Sequence, residues 1–169
     1  MNYDELETDR LRLRMWRESD LDDYAAMSAD PQVMRYLGPG KVMSRGEAWR
    51  SIAFFMGHWQ MRGYGHWAVE SRETGRMIGR IGFLNPEGWP GFEIGWTLAR
   101  HAWGKGYAIE GARAALRYAF TTLDMPHVIS LIHPDNAASI RVAERLGERP
   151  EGTARVADVD VLVYRIDRP

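Results

Sequence analysis

The stretch that most constrains this chain runs from His101 to Leu116: His-Ala-Trp-Gly-Lys-Gly-Tyr-Ala-Ile-Glu-Gly-Ala-Arg-Ala-Ala-Leu. It places two residues without side chains directly before a helix-forming run. At Gly104 and Gly106 the backbone N–H groups can turn inward. The first turn of the following helix adds unpaired donors and a partial positive charge. Such a junction suits an anion, phosphate above all, although two glycines in isolation read as a loop closing onto a helix. The two common nucleotide loops do not fit. A Walker loop needs Ser or Thr after its lysine, and Lys105 is followed by Gly106; a dinucleotide fingerprint needs a third glycine where Ile109 stands. What remains is a loop wrapping a pyrophosphate from the strand side, preceded here by the extended segment Phe92-Glu93-Ile94-Gly95-Trp96-Thr97-Leu98.

With 169 residues and 45% hydrophobic content, the chain suits one well-packed domain spanning residues 1–169. A formal net charge of −1 gives no long-range field to gather nucleic acid or an anionic membrane, so any anion site must be local. The absence of cysteine excludes disulfides, thiolate metal sites and a thioester carried on the enzyme itself. No apolar run reaches the ~18 residues of a membrane span, and the acidic start Asp4-Glu5 lacks the order of a secretory signal. A cytoplasmic location is expected.

Leu11, Leu13 and Met15 alternate with Arg10, Arg12 and Arg14, the period of a strand with one buried face. A helix follows, with Asp20 as its expected cap, and Pro31 divides it from a short second piece. Ser44 and Glu47 have capping-box spacing; Ala48, Ile52, Phe55, Met56 and Trp59 then recur at helical intervals until Gly63. Extended segments over residues 66–71, 77–83 and 92–98 read as an antiparallel meander. A long helix over 106–123, a strand over 128–133, a helix over 136–146 and a terminal pair of strands complete the chain. Helices alternate with strands late but not early. This predicts a mixed α/β (α+β) sheet rather than a doubly wound parallel one.

The glycine loop and its strand together resemble motif A of the GNAT N-acetyltransferases, Gln/Arg-x-x-Gly-x-Gly/Ala. The likeness is more specific to the ribosomal-protein N-terminal acetyltransferase (RimJ/RimL-type) branch. There Glu-Ile-Gly-aromatic-x-Leu leads into Trp-Gly-Lys-Gly-Tyr-Ala and Glu, matched here by residues 93–98 and 103–110. Residues 136–147 resemble the family's Asn-x-x-Ser helix, 160–164 its last strand, and the opening Thr8-Asp9-Arg10-Leu11-Arg12-Leu13-Arg14 that branch's first strand. The resemblance implies a GNAT fold: a mostly antiparallel twisted sheet with one parallel, splayed strand pair, flanked by helices. It also implies acetyl-CoA as cosubstrate and no metal. The splay would leave the backbone of Trp96, Thr97 and Leu98 free to bond the pantetheine arm as a pseudo-strand. Gly104, Lys105, Gly106, Tyr107 and Ala108 would cradle the pyrophosphate. The Lys105 side chain either adds charge there or is simply solvated, and His101 stands where the family prefers Gln or Arg.

Direct acetylation needs a neutral amine, and a free amine with a pKa of about 8 to 10 is mostly charged at pH 7, so a base is useful. Glu93 opens an otherwise apolar strand, on one face with Gly95 and Thr97. It reads equally as that base, working through water, or as a strand-end carboxylate paired with an arginine. Ala143 occupies the position where many GNAT enzymes place a tyrosine that protonates the departing thiolate. Ser139, one turn earlier, matches the thiolate partner of the ribosomal-protein branch, or else bonds its own helix backbone. Asn136 can cap its helix and contact pantetheine at once. Gly147 matches the family's Leu-Gly-Phe ending, with Glu148 in place of the phenylalanine. The five histidines show no metal-ligand spacing. Among the seven tryptophans, Trp59, Trp67 and Trp89 suggest a substrate groove, or core packing.

The expected function is N-acetyl transfer from acetyl-CoA to a primary amine, a protein or peptide N-terminus or a small molecule, by direct attack in a ternary complex. The oxyanion donor would be a strand amide near Trp96. The acceptor would contact the helices around residues 31–59 and the final hairpin. The alternative is a non-catalytic acyl-CoA-binding sensor or interaction module, with nucleotide binding third. The aromatic content permits a homodimer.

Overall fold

In the computed structural model, which describes residues 3–169, eight strands form one sheet in the order β1-β2-β3-β4-β5-β6-β8-β7. The strands are β1 (Leu6–Glu7), β2 (Leu11–Arg14), β3 (His66–Ser71), β4 (Met77–Leu84), β5 (Glu93–Leu98), β6 (His127–Ile132), β7 (Arg149–Val156) and β8 (Val159–Asp167). Every neighbouring pair is antiparallel except β5 and β6, which are parallel and in register at Glu93 and Ile129 alone. The mixed sheet with one splayed parallel pair is therefore as expected. The short β1 escaped the sequence reading, because two residues carry no usable alternation.

Helix α4 (Tyr107–Thr121) covers one face of the sheet. Its Ala112, Ala115, Leu116 and Ala119 are buried against Leu11, Leu13, Ile81, Phe83 and Ile94. Small residues let the helix approach closely: a Cβ at Gly111 would lie 2.5 Å from Ile81 Cδ1. The other face is covered by α1 (Leu21–Ser28), α2 (Pro31–Met34) and α3 (Arg45–Arg62), through Trp16, Tyr24, Met27, Ile52 and Phe55. Leu11 and Leu13 are fully buried, each contributing about 2 kcal/mol from removal of apolar surface. Helix α5 (Ala137–Leu146) packs behind β6 and β8 through Ala143.

The capping box at Ser44 and Glu47 and the left-handed stop at Gly63 form as read. Met56 is exposed and lies off the buried stripe of α3. Asp20 does not cap α1 with its side chain. Its carboxylate instead accepts the Arg17 N–H and a bidentate pair from Arg14 at 2.7 and 2.9 Å, with Glu70 on the Arg14 Nε at 2.6 Å. A buried arginine demands carboxylates more strongly than a helix end does, which explains the diversion. None of the helices among the described residues is long and apolar enough to cross a membrane.

Candidate active site

Beyond Glu93 and Ile129 the two parallel strands part, and side chains fill the base of the wedge. The Ser130 hydroxyl reaches the Ile94 carbonyl at 3.2 Å, and the Leu131 N–H donates to the Glu93 carboxylate. The pleat decides which backbone groups face the opening. Because the Ala99 N–H bonds the Ile78 carbonyl, alternation turns the backbone groups of Glu93, Gly95 and Thr97 toward β4 and those of Ile94, Trp96 and Leu98 toward the wedge. The Ile94 and Leu98 carbonyls already accept from Ser130 and from Trp103 Nε1. That leaves the N–H and C=O of Trp96 and the N–H of Leu98 facing the gap. Of the three residues expected to present free backbone, Thr97 therefore does not: its N–H and C=O turn toward β4, although the residue lines both cavities.

The loop after β5 begins with a short helical turn at Arg100–Ala102, and Gly104 and Gly106 then adopt left-handed conformations, φ 73° and 79°. That backbone disfavours a residue with a Cβ. The first helical hydrogen bond of α4 runs from the Glu110 N–H to the Gly106 carbonyl. Hence six consecutive amides, residues 104–109, have no protein acceptor among the described residues. Arg10 braces this loop from the first strands: its Nη1 bonds the Lys105 carbonyl at 2.9 Å, its guanidinium lies 4.6 Å from the centre of the Tyr107 ring, and its Nε bonds Glu110 at 2.7 Å. The Thr8 hydroxyl also donates to Glu110, at 2.6 Å. Thr8, Arg10 and Glu110 thus have a positioning role that only the motif match hinted at. The Lys105 side chain is exposed, as is His101.

Two cavities meet at the wedge. The larger, about 670 Å³, is lined by the glycine loop, the start of α4, Trp96, Thr97, Leu98 and one side of α5. The smaller, about 220 Å³, contains Glu93, Gly95, Arg80, His66 and Trp89, with the β7–β8 hairpin over it. Tyr36, Leu37, Trp96, Thr97, Asn136 and Ser139 line both. Tyr36 and Leu37 lie in the 31–59 stretch expected to contact the acceptor and were read as the end of its short helical piece; the helix stops at Met34 and they follow it as a turn. Asn136 caps α5 through the Ser139 N–H at 3.2 Å. The Ser139 hydroxyl is not spent on its own helix; it accepts from Trp96 Nε1 at 3.3 Å at the junction of the cavities. Ala143 is wholly buried and lines neither cavity. Trp59 and Trp67 are core residues, and only Trp89 of the three tryptophans reaches the site.

Glu93 is half-buried and accepts from Trp89 Nε1 at 2.7 Å. Burial pushes its carboxyl up to about 7; the Trp89 and Leu131 hydrogen bonds and the Arg80 charge oppose this, while Glu148 adds to it. No arginine forms an ion pair with it among the described residues, so the strand-end pairing does not occur. Glu148, which stands in for the family's phenylalanine, lies 3% exposed behind Ser130, 3.1 Å from its hydroxyl. Its carboxyl is likewise raised to about 7 by burial, and its Oε2 has no partner. His66 is fully enclosed and its pKa is driven well down by burial and by Arg80, which keeps the ring neutral.

Residues 10–149 match the family model described as an acetyltransferase (GNAT) domain. The chain belongs to this family. It is an acetyl-CoA-dependent acetyltransferase. Two relatives from Bacillus subtilis (strain 168) are similar over nearly their whole lengths: protein YkkB, 36% identical over 94% of this chain and 93% of its own, and N-acetyltransferase YoaA, 30% identical over 97% of each. Among solved structures, an acetyltransferase from Agrobacterium tumefaciens str. C58 superposes with a TM-score of 0.86 at 33% identity, covering 98% of this chain and 95% of its own. The RimL ribosomal L7/L12 alpha-N-protein acetyltransferase, solved in complex with coenzyme A, shares the fold with a TM-score of 0.81 at 22% identity, covering 97% and 98%.

Proposed function

We propose that this acetyltransferase passes the acetyl group directly to a primary amine held in the smaller cavity, with both reactants bound together. The observation that carries the reading is the meeting of the two cavities at the wedge between β5 and β6, where Trp96 and Ser139 line both and Glu93 lines the smaller. The larger cavity fits the cosubstrate. The unpartnered amides of residues 104–109 suit its diphosphate. The exposed backbone edge of Trp96 and Leu98 suits its peptide-like arm, and acetyl-CoA supplies the activated acetyl thioester.

Glu93 accepts the proton of the incoming ammonium through water, a task suited to a carboxyl raised to about 7. The Trp96 or Leu98 N–H offers a hydrogen bond to the carbonyl oxygen of the acyl group. Ser139, with Trp96 Nε1 donating to its oxygen, keeps its own proton free for the departing sulfur.

The test is thiol release from acetyl-CoA against a panel of amines and N-terminal peptides. Glu93→Gln lowers kcat by ~10²-fold or more while leaving acetyl-CoA affinity within about threefold. In the parent protein kcat/KM falls as pH drops below about 7, because Glu93 is then protonated. Unchanged turnover in Glu93→Gln refutes its role as base.

A further inference from the structure

The smaller cavity contains a cation that the chemistry above does not use. Arg80, on β4 opposite Thr97, lines the cavity half-buried. Its guanidinium sits 5.0 Å from the centre of the Phe55 ring, and its Nη1 donates to the neutral His66 ring at 3.1 Å. No carboxylate of the described residues lies within 4.0 Å of it. An arginine has five N–H donors, so most remain unspent. Beside it in register, the hydroxyl oxygen of Thr97 is buried with no hydrogen-bond partner, and Thr97 is 7% exposed on the face shared with Glu93. A guanidinium fixed on an aromatic ring and an idle buried hydroxyl make a subsite that lacks its anion.

Building on the proposed direct transfer, we propose that the acceptor is a small zwitterion of the amino-acid type, its carboxylate held by Arg80 and Thr97 and its amine directed to Glu93. A planar carboxylate matches the guanidinium fork and carries a single charge. A dianionic phosphate would oppose ionisation of Glu93 in the same cavity. The cavity, about 220 Å³, lies below the usual range for drug-sized ligands and suits a small acceptor. Its charged and titratable groups sort by role. Glu93 faces the amine, Arg80 the carboxylate, His66 stays neutral behind Arg80, His133 packs against the Tyr36 ring on the wall of the cavity, and Glu148 is screened by Ser130.

The experiment measures thiol release for L-amino acids, each paired with its carboxamide and its decarboxylated amine, with aminophosphonates and N-terminal peptides as further arms. At least one acid should exceed its matched amide and amine by about 10–100-fold in kcat/KM, the effect of a charge-assisted bond. Arg80→Gln should collapse that ratio to within about threefold, Arg80→Lys should restore part of it, and Thr97→Val should lower it severalfold. Amides or plain amines turned over as well as acids, a preference for phosphonates or for peptides, or a ratio unmoved in Arg80→Gln each overturns the zwitterion while direct transfer stands. Release from no acceptor in any arm overturns both.

Discussion

Replacing Glu148 by glutamine should stabilise the protein at alkaline pH and do progressively less as the pH falls. Its carboxyl is 3% exposed, one oxygen meets nothing, and burial raises its pKa to about 7 from an ordinary 4.5. Below about 4.5 the group is protonated in both folded and unfolded chains and costs nothing. Between 4.5 and 7 the unfolded chain gives up the proton while the folded one keeps it, so stability drops by about 1.4 kcal/mol per pH unit. Above 7 the folded protein contains an ionised buried carboxylate, and the loss is complete at roughly 3 kcal/mol. The assay is denaturant unfolding of parent and Glu148→Gln at pH 5 and pH 8, since the difference between them removes the titrations they share. The advantage of the variant should grow by about 2.5 kcal/mol between the two pH values, because at pH 5 part of the loss has already occurred. A difference flat with pH would show that Glu148 ionises in the folded state as readily as in water and would remove the argument. Because Glu148 also pushes Glu93 upward, the acid limb of the pH–rate profile should shift to lower pH in the same variant.

The Arg14 cluster gives a second test. Asp20→Ala leaves a guanidinium 3% exposed with Glu70 as its remaining close carboxylate, and should cost about 3–5 kcal/mol in chemical denaturation. Asp20→Asn, which keeps one acceptor, should cost less. At Gly106, where φ is 79°, valine should cost about 1–2 kcal/mol in stability and weaken acetyl-CoA binding at least tenfold by calorimetry, because the strained loop re-aims its amides.

The sequence revealed whatever depended on local pattern. The glycine loop running into a helix, the capping box at Ser44, the meander and the late alternation of helix and strand all follow from turn chemistry and periodicity. The splayed pair came from the resemblance instead, since nothing in residues 92–98 or 128–133 says that their pairing stops after a single register position. Glu93 and Ser139 were marked by family pattern; Ser139 lines both cavities and Glu93 the smaller one. Arg80, Thr97 as a side chain and His66 were not marked for the acceptor pocket, because their meaning arises only when β3, β4 and β5 converge. Asp20 shows the limit of reading caps locally: a partner six residues earlier, buried by the sheet, outbids the helix end. Glu148 was noticed only as a mismatch, and its contact with Ser130 and the effect of its charge on Glu93 require β5, β6 and the start of β7 to be placed.

The central claim is that the free backbone of residues 104–109 and the open edge of β5 hold acetyl-CoA. Amide hydrogen exchange with and without saturating acetyl-CoA tests it most directly. New protection should appear at residues 104–109 and at the amides of Trp96 and Leu98, with Thr97, already bonded to β4, unchanged. Binding without protection of the loop, or protection confined to another surface, would contradict it.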